Sequence, residues 1–373
     1  MPVPLLDIRA QYEELRTETD AALRRVIEGA AFVNGPEVAG FEAEFAAYLG
    51  APHVLGVANG TDALEVALQA VGVRPGDRVL TVPFTFAATL EAIVRCGATP
   101  VLVDVREDDL TMDAEQSVAV LQRETIAAVL PVHLYGHPAD LEPLLAAVRA
   151  RGGAVVEDAA QAHGAWLPLG SGRARAGAVG DVAAFSFYPT KNLGAMGDAG
   201  AVATTRADVA GRARLLASHG EAEKYRHVIG NGRNSRLDGL QAAVLRVRLA
   251  RLDEWNARRR RIAALYAEGL RGLPLRLPAE RAGFESVYHQ YVVRTAERDR
   301  LQQALAERGI GTAIHYPRAL HEQGGFRSLG YRRGQLPVAE RAADEVLSLP
   351  MSPHLGDAHA AQVIEAVRAA FGS

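Results

Sequence analysis

Short apolar runs alternate with amphipathic segments through much of the first half of the chain. Apolar runs of four to eight residues predict strands, and apolar residues three and four positions apart predict helices. The predicted strands cover residues 78–82, 99–105, 126–132 and 154–158, and the helices between them cover residues 86–96, 113–122 and 138–150. Strand–helix–strand repetition requires right-handed crossovers, so we predict a parallel sheet with helices on both faces.

The alternation changes after residue 180. Two predicted strands, at 181–187 and 200–204, are separated only by a glycine-rich segment without a helical period. Two neighbouring strands without a crossover helix are typically antiparallel. We therefore expect an α/β fold whose large domain has a mixed, mainly parallel sheet.

The two ends of the chain carry further predicted elements. Before the sheet, helices are predicted at 13–31, 37–49 and 63–71, with an Asn-Gly-Pro turn at 34–36. Residues 237–268 predict one long helix or two abutting helices, followed by two glycines and two prolines that mark a boundary. We predict a large domain of residues 1–268. The smaller C-terminal α/β domain, 269–373, has predicted strands at 288–294 and 312–316 and helices at 297–308, 338–347 and 357–370.

Composition excludes several classes of protein. Of the 373 residues, 49% are hydrophobic and 23% are charged, which is ordinary for a globular protein. The single cysteine, Cys96, excludes a disulfide scaffold, an iron–sulfur cluster and a cysteine-based zinc site, and we expect no metal. No apolar run is long enough to span a membrane and no signal peptide is evident, so we expect a cytoplasmic protein that binds no membrane. The net charge is −3, and the four arginines at 258–261 point all round a helix, so we expect no nucleic-acid partner.

The basic residues are strongly biased. Lysine and arginine together number 41, and only two of them, Lys191 and Lys224, are lysines. Lysine can lose its proton and attack a carbonyl carbon, whereas arginine stays protonated. A lysine that persists in such an arginine-rich chain is a candidate for chemistry.

Three segments place polar groups where strands are predicted to end. Ligands of open α/β sheets gather at the carboxyl ends of the strands. In the first segment, Asn-Gly-Thr-Asp at 59–62 opens a helix: Gly60 allows close backbone approach, and Thr61 can cap the helix beside free N–H groups that bind anions. On its own, this segment also fits an ordinary capped helix.

The other two segments supply an acid and an amine. Residues 155–164 run from an apolar strand into Glu157 and Asp158, of which only one can face a given site because neighbouring strand residues alternate. A carboxylate there can keep a ring nitrogen protonated, although a solvated strand end is the simpler alternative. Residues 185–194 carry Lys191 just beyond a buried strand, where partial desolvation lowers the pKa of the amine. An anion site, an acid and a reactive amine together indicate pyridoxal phosphate (PLP).

Several motifs resemble the DegT/DnrJ/EryC1/StrS family of PLP-dependent sugar aminotransferases. They are spread over nearly the whole chain: VPLLDIRAQY, ANGTDALEVAL, VPFTFAATLEAI, VHLYGHPADL, VEDAAQAHGA, FSFYPTKNLGAMGDAGAV, NSRLDGLQAAVL, IHYPRALHEQ and LSLPMSP. VEDAAQAHGA and SFYPTKNLG at this spacing are the most specific. The resemblance implies fold type I of the PLP-dependent transferases.

The resemblance also implies a role for individual residues. Lys191 forms the Schiff base with PLP and moves the proton, Asp158 pairs with the ring nitrogen, and Gln161 reaches the ring hydroxyl. The remaining expected cofactor contacts are ring stacking by Phe86 and phosphate binding by Gly60, Thr61, Ser186 and, from the neighbouring subunit of a homodimer, Asn234. A histidine in place of Lys191 would indicate a dehydratase, so lysine disfavours that branch.

The substrate follows from the same likeness. The chain resembles the branch that acts on nucleotide-linked 3-keto-6-deoxyhexoses. We expect the nucleotide to be dTDP and the amino donor to be L-glutamate. Enzymes that aminate C-4 usually have an NYRM-like motif where this chain has NSRL. The implied sugar-site residues are Tyr188, His315 and Tyr316, and Lys224 is expected to contact the diphosphate.

Three alternatives stay open at this point. The first is a C-4 keto-sugar or inosose aminotransferase with the same cofactor site. The second is a regulatory homologue without turnover, which the intact Lys191 and Asp158 disfavour. The third, a nicotinamide-dependent dehydrogenase, would need a G-x-G-x-x-G turn after the first strand, and residues 59–64 do not provide it.

Overall fold

Thirteen strands alternate with helices along the computed structural model, which describes residues 2–372. The strands are β1 His53–Val57, β2 Arg78–Thr81, β3 Thr99–Leu102, β4 Ala128–Val129, β5 Ala154–Asp158, β6 Trp166–Leu169, β7 Gly172–Arg175, β8 Val182–Ser186, β9 Gly200–Thr204, β10 Glu221–Glu223, β11 Arg226–His227, β12 Tyr291–Arg294 and β13 Val346–Leu349. The α-helices are α1 Ile8–Glu14, α2 Arg16–Glu28, α3 Pro36–Leu49, α4 Gly60–Ala70, α5 Ala88–Arg95, α6 Ala114–Arg123, α7 Glu142–Arg149, α8 Ala207–Ala217, α9 Gly239–Leu249, α10 Leu252–Gly269, α11 Arg298–Ala306, α12 Pro337–Glu345 and α13 Asp357–Ala370.

Seven strands form the central sheet, in the order β1-β9-β8-β5-β4-β2-β3. The pairs β8/β5, β5/β4, β4/β2 and β2/β3 are parallel, while β9 is antiparallel to both β8 and β1. Strand β9 is thus the one member of this sheet that runs against the others. The predicted mixed, mainly parallel sheet is confirmed, as is the antiparallel pairing of the two strands after residue 180.

Helices cover both faces of the sheet. Helices α4, α5 and α8 bury apolar side chains on one face, and α3 and α9 do so on the other. Local sequence explains where α3 begins and ends: Pro36 occupies its first turn, and Gly50 follows it with φ of +76°, a conformation that glycine adopts at little cost.

Two predicted helices are each divided in the structure. The segment 13–31 contains parts of α1 and α2, which meet at the buried Leu15. The segment 237–268 is the pair of abutting helices α9 and α10, separated by Ala250 and Arg251. The sequence analysis did not predict strand β1 or the hairpins β6–β7 and β10–β11.

The C-terminal part is a smaller α/β unit. Strands β12 and β13 pair antiparallel, with Tyr291 opposite Leu349, and α11 and α13 pack against them. The predicted strand at 312–316 is wrong, because that segment contributes a single bridge from Ala313 to Ser348, and β13 takes the place beside β12. The predicted helix at 338–347 ends at Glu345, where β13 begins.

Helix α10 belongs to two packing environments. Its N-terminal half carries Asn256, which contacts the large sheet's loops, whereas Ile262 and Tyr266 lie in the apolar core of the C-terminal unit. Val3 at the start of the chain is buried in that same core. No helix among residues 2–372 has the length and apolarity needed to cross a lipid bilayer.

Candidate functional site

The carboxyl ends of β1, β5 and β8 converge at one edge of the sheet. Helix α4 follows β1, Asp158 ends β5, and Ser186 ends β8 five residues before Lys191. Because these three strands run in the same direction, their last residues lie at the same edge of the sheet, with the antiparallel β9 between β1 and β8. The three segments singled out in the sequence therefore meet in one place.

An anion cradle lies at the start of α4. Its N-cap is Asn59, whose side chain accepts a hydrogen bond from the Asp62 backbone N–H at 2.8 Å, so the expected capping role of Thr61 is wrong. A Cβ atom added to Gly60 would lie 2.6 Å from the Ser186 Cβ atom, so only glycine fits there. The cradle brings the free N–H groups of the helix and the Ser186 hydroxyl together, as a phosphate requires.

Asp158 is the carboxylate that faces the site. Only 4% of it is exposed, and its Oδ2 accepts a hydrogen bond from the Thr89 hydroxyl at 2.8 Å while Oδ1 accepts one from the Ala160 N–H at 3.2 Å. Burial raises the pKa of Asp158, and the hydrogen bond from Thr89 counteracts part of that rise. A cationic ring nitrogen placed beside this carboxylate would stabilise its charged form.

Glu157 points the other way, as strand alternation predicts. Its carboxylate accepts hydrogen bonds from the backbone N–H groups of Gly177, Val179 and Gly180, at 2.6, 2.8 and 2.6 Å, and lies 2.9 Å from His133 Nε2. The His133 Nδ1 accepts a hydrogen bond from the Ala139 N–H, so Nε2 carries the ring proton and donates a hydrogen bond to Glu157. Of the two adjacent acids, one therefore holds the fold and the other serves the site.

Lys191 supplies an amine without a partner. Among the described residues, its Nζ makes no hydrogen bond or ion pair. Burial lowers the pKa of Lys191 to about 8, and the nearby Asp158 carboxylate opposes part of this shift. An appreciable fraction of the amine is thus neutral near neutral pH, and the neutral form is the one that attacks an aldehyde.

Two buried side chains anchor the loop that carries Lys191. Arg248 on α9 donates to the carbonyl oxygens of Gly194 and Ala195, at 2.6 and 3.1 Å. Asn192 donates to the Asn256 side chain at 2.9 Å. Burial lowers the pKa of Arg248 to about 10, and its role as an anchor was not visible in the sequence, where it is one arginine among many.

Gln161 is fixed as a donor toward the site. Its Oε1 accepts the Tyr135 N–H at 2.6 Å, which turns the amide so that Nε2 donates to the Tyr316 hydroxyl at 3.3 Å. The Tyr316 ring lies 6.1 Å from the Phe86 ring, which is 58% exposed. The structure thus brings Phe86, Gln161 and Tyr316 together, and it adds Tyr135, which lies in the quoted motif VHLYGHPADL but was not identified as a site residue.

His315 and Tyr188 lie around Lys191. His315 is hydrogen-bonded to the Ser348 hydroxyl at 2.8 Å, and burial, followed by the Lys191 charge, lowers its pKa to about 4. Tyr188 is 52% exposed, and its carbonyl oxygen accepts the Lys191 N–H. The C-terminal unit therefore contributes side chains to a site built on the large sheet.

Lys224 and Asn234 lie outside this cluster in the same chain. Lys224 is at the tip of the β10–β11 hairpin, 5.1 Å from the ring of Tyr225, which is 79% exposed. Asn234 is exposed, although its neighbour Ser235 is buried and accepts a hydrogen bond from the Ala58 N–H. Within residues 2–372, neither side chain has a hydrogen bond or ion pair to the residues around Lys191.

No group of three or more histidine, cysteine or acidic side chains in the described part of the chain is placed to hold a metal ion. His163 is enclosed between Phe185 and Phe187, with ring centroids 5.5 and 5.6 Å away, and burial lowers its pKa to about 3. It is a neutral, packed ring.

Comparison with known proteins identifies close relatives of the chain. A profile of the DegT/DnrJ/EryC1/StrS aminotransferase family matches residues 13–368. A dTDP-3-amino-3,4,6-trideoxy-alpha-D-glucose transaminase from Streptomyces venezuelae is 49% identical over 370 residues, covering 98% of this chain and 95% of the relative.

Solved structures agree with the sequence relatives. DesV of S. venezuelae, crystallised in complex with a ketimine intermediate, superposes with a TM-score of 0.95 at 48% identity, covering 99% of this chain and 98% of that one. NtdA from Bacillus subtilis with bound cofactor PMP superposes with a TM-score of 0.87 at 28% identity, covering 96% and 82%. The predicted fold type I PLP-transferase architecture is confirmed.

The residues present fit PLP. A glycine-lined cradle at a helix N-terminus, a buried carboxylate and an unpaired amine of lowered pKa match a phosphate, a ring nitrogen and an aldehyde in turn. The donor set is the one that this cofactor requires of a protein.

Proposed function

The chain belongs to the DegT/DnrJ/EryC1/StrS aminotransferase family, and from that premise we propose that it transfers an amino group from L-glutamate to C-3 of a dTDP-linked 3-keto-6-deoxyhexose. The protein is a PLP-dependent aminotransferase. The product would be a dTDP-linked 3-amino-3,6-dideoxyhexose. Such a product belongs to deoxyamino sugar biosynthesis, for an antibiotic or a cell-surface glycan.

One observation carries the proposal: a partly desolvated, unpaired Lys191 amine lies near the buried Asp158 carboxylate, and Ser186, five residues before Lys191, lines the anion cradle of α4. In this arrangement Lys191 would hold the cofactor aldehyde in the resting enzyme. When bound, PLP supplies the electron sink that allows an amino group to leave one carbon and be added to another.

The chain's own residues perform the remaining tasks. Asp158 would hold the proton on the ring nitrogen, Gln161 would donate to the ring hydroxyl, and Phe86 would cover one face of the ring. The amine of Lys191, freed when the donor binds, would remove the proton from the donor's α-carbon. Gly60, Thr61 and Ser186 would hold the phosphate throughout, which keeps the reacting atoms in register.

The sugar nucleotide would lie on the open side of the cluster. Tyr188, His315 and Tyr316 surround Lys191 and present hydroxyl and imidazole groups that can hydrogen-bond a sugar. His315 is neutral at physiological pH because burial lowers its pKa to about 4, so it can accept or donate a hydrogen bond without carrying charge. Lys224, on an exposed hairpin, has the charge needed to contact the diphosphate.

Substrate choice is tested by steady-state assays with L-glutamate as donor. We expect the dTDP-linked 3-keto-6-deoxyhexose to have a kcat/KM at least about 100-fold above that of its 4-keto isomer, because a displaced keto group misaligns the reacting carbon. Preference for the 4-keto sugar or for an inosose would contradict the C-3 assignment and leave the cofactor chemistry intact. Preference for a UDP-linked 3-keto sugar would correct only the nucleotide.

We further propose a homodimer with two shared sites, in which Asn234 of one protomer contacts the phosphate bound by the other. The exposed aromatic rings of Phe86 and Tyr188 beside the site are consistent with a partner covering this edge. The side chain of Asn234, outside its own protomer's cluster, is exposed and available to a partner's site. A two-fold axis would then generate two equivalent sites.

Subunit complementation tests this arrangement. Lys191→Ala and Asn234→Asp variants should each be nearly inactive, the second because a carboxylate repels the phosphate. After mixing and exchange of subunits, hybrid dimers would contain one intact site each, so about a quarter of the wild-type activity should return. If Asn234 served its own protomer's site, mixing would restore nothing.

A further inference from the structure

Two buried threonine hydroxyls form a chain that ends on Asp158. The Thr85 Oγ1 lies 3.0 Å from the Thr89 Oγ1, which in turn lies 2.8 Å from Asp158 Oδ2. Thr85 is 2% exposed and Thr89 is 1% exposed, so both hydroxyls are shielded from bulk water. The two residues are four apart, in the segment that leads into the first turn of α5.

The direction of this chain follows from counting protons. An ionised carboxylate only accepts hydrogen bonds, so the one hydroxyl proton of Thr89 is used on Asp158. The oxygen of Thr89 can then only accept from Thr85, which makes Thr85 the donor. Because each link polarises the next, the bond to Asp158 is stronger than an isolated hydroxyl would provide.

The hydrogen bonds also fix how the carboxylate is turned. Oδ2 is held by Thr89 on α5, and Oδ1 is held by the Ala160 N–H in the loop after β5. Because its two carboxylate oxygens are hydrogen-bonded to different elements, the Asp158 side chain is held in one rotamer.

The same short segment places the ring-stacking residue. Phe86 directly follows Thr85, and its carbonyl oxygen accepts the Thr89 backbone N–H at 3.2 Å. The position of the stacking ring and the position of the hydroxyl on Asp158 are therefore set by one turn of backbone. A shift in that turn would disturb the face and the edge of the bound ring together.

We propose that Thr89, oriented by Thr85, is a positioning residue that fixes the Asp158 carboxylate and keeps it ionised toward the ring nitrogen of the cofactor. This inference rests on the proposed role of Asp158 in binding PLP. It assigns a task to two residues that the sequence analysis did not identify, although both lie in the motif VPFTFAATLEAI.

Thr89→Val is the direct test, because valine keeps the shape and removes the hydroxyl. We expect the dissociation constant of PLP to rise about tenfold, since a hydrogen bond to a charged group is lost. We also expect the visible absorbance of the bound cofactor to change its dependence on pH, because the carboxylate that sets the charge of the ring is perturbed. Thr89→Ser should restore both properties.

Thr81→Val is the matched control. Thr81 is a fully buried threonine at the end of strand β2, four residues before Thr85, and its hydroxyl donates one hydrogen bond to the Leu130 carbonyl oxygen at 2.8 Å. Its loss should lower the melting temperature, as Thr89→Val does, and leave PLP affinity and absorbance unchanged. Thr85→Val, which removes only the donor to Thr89, should shift both cofactor properties in the same direction as Thr89→Val but by less.

The outcomes separate the inference from the function on which it rests. If Thr89→Val and Thr85→Val behave like Thr81→Val, the positioning role is wrong while PLP binding stands. If Thr89→Val does not fold, Thr85→Val and Thr89→Ser decide the question alone. If the wild-type protein binds no PLP, the proposed function itself is wrong.

Discussion

Lys191→Arg should lower kcat by about a thousandfold or more and abolish covalent attachment of the cofactor. Arginine keeps the positive charge but does not lose its proton to become a nucleophile. It therefore can neither form the bond to the aldehyde nor remove the proton from the amino donor. Arginine stands at 39 of the 41 lysine and arginine positions, so the substitution introduces the residue that this chain uses almost everywhere else for a positive charge. Borohydride reduction followed by peptide mass spectrometry checks the prediction.

The control for this experiment is the other lysine. In the wild-type protein the reduced phosphopyridoxyl group should be found on the peptide that contains Lys191. Lys224→Arg should retain that adduct, because Lys224 lies on an exposed hairpin outside the cluster. An adduct on Lys224, or on neither lysine, would refute the site described here.

Asp158→Asn should reduce kcat/KM by about 100- to 4000-fold. Asparagine matches aspartate in volume and still accepts the Thr89 hydrogen bond, so the main change is loss of the charge that we propose pairs with the ring nitrogen. Removing one partner of a buried ion pair costs about 3–5 kcal/mol, and each 1.4 kcal/mol is a factor of ten in rate. Kinetics with L-glutamate and the absorbance of the bound cofactor provide the measurements.

Glu157→Gln separates a cofactor effect from a structural one. Glu157 is the neighbour of Asp158 but accepts the backbone N–H groups of the 177–180 loop, which an amide nitrogen cannot do. We expect this variant to lose thermal stability and to keep the absorbance of the bound cofactor. Equal spectral changes in both variants would show that the two acids are not divided between fold and site.

Much of the architecture could be predicted because its signals are local. The parallel strands are short apolar runs separated by amphipathic helices, and the antiparallel β8–β9 pair followed from the missing crossover. Strand β1 was missed because its five residues, His-Val-Leu-Gly-Val, are short and interrupted by glycine. The segment 312–316 has the composition of a strand, but β13 pairs with β12 instead, and that choice depends on contacts far apart in sequence.

The sequence points to candidate site residues only where a single residue reveals its chemistry. Lys191 was conspicuous by the scarcity of lysine, and Asp158 by its place at the end of an apolar strand. Thr89 and Arg248 could not be found in this way, because a threonine in a helix and an arginine in an arginine-rich chain are unremarkable until their partners are known. Capping by Asn59 rather than Thr61 was likewise decided by local geometry that composition does not reveal.

Helix α10 connects the segment beside Lys191 to the core of the C-terminal unit. Asn256 near its start holds Asn192, the residue next to Lys191, whereas Tyr266 near its end is locked into the C-terminal core. A helix of eighteen residues behaves as a stiff rod. A tilt of the C-terminal unit relative to the large sheet would therefore be transmitted through α10 to the backbone beside Lys191.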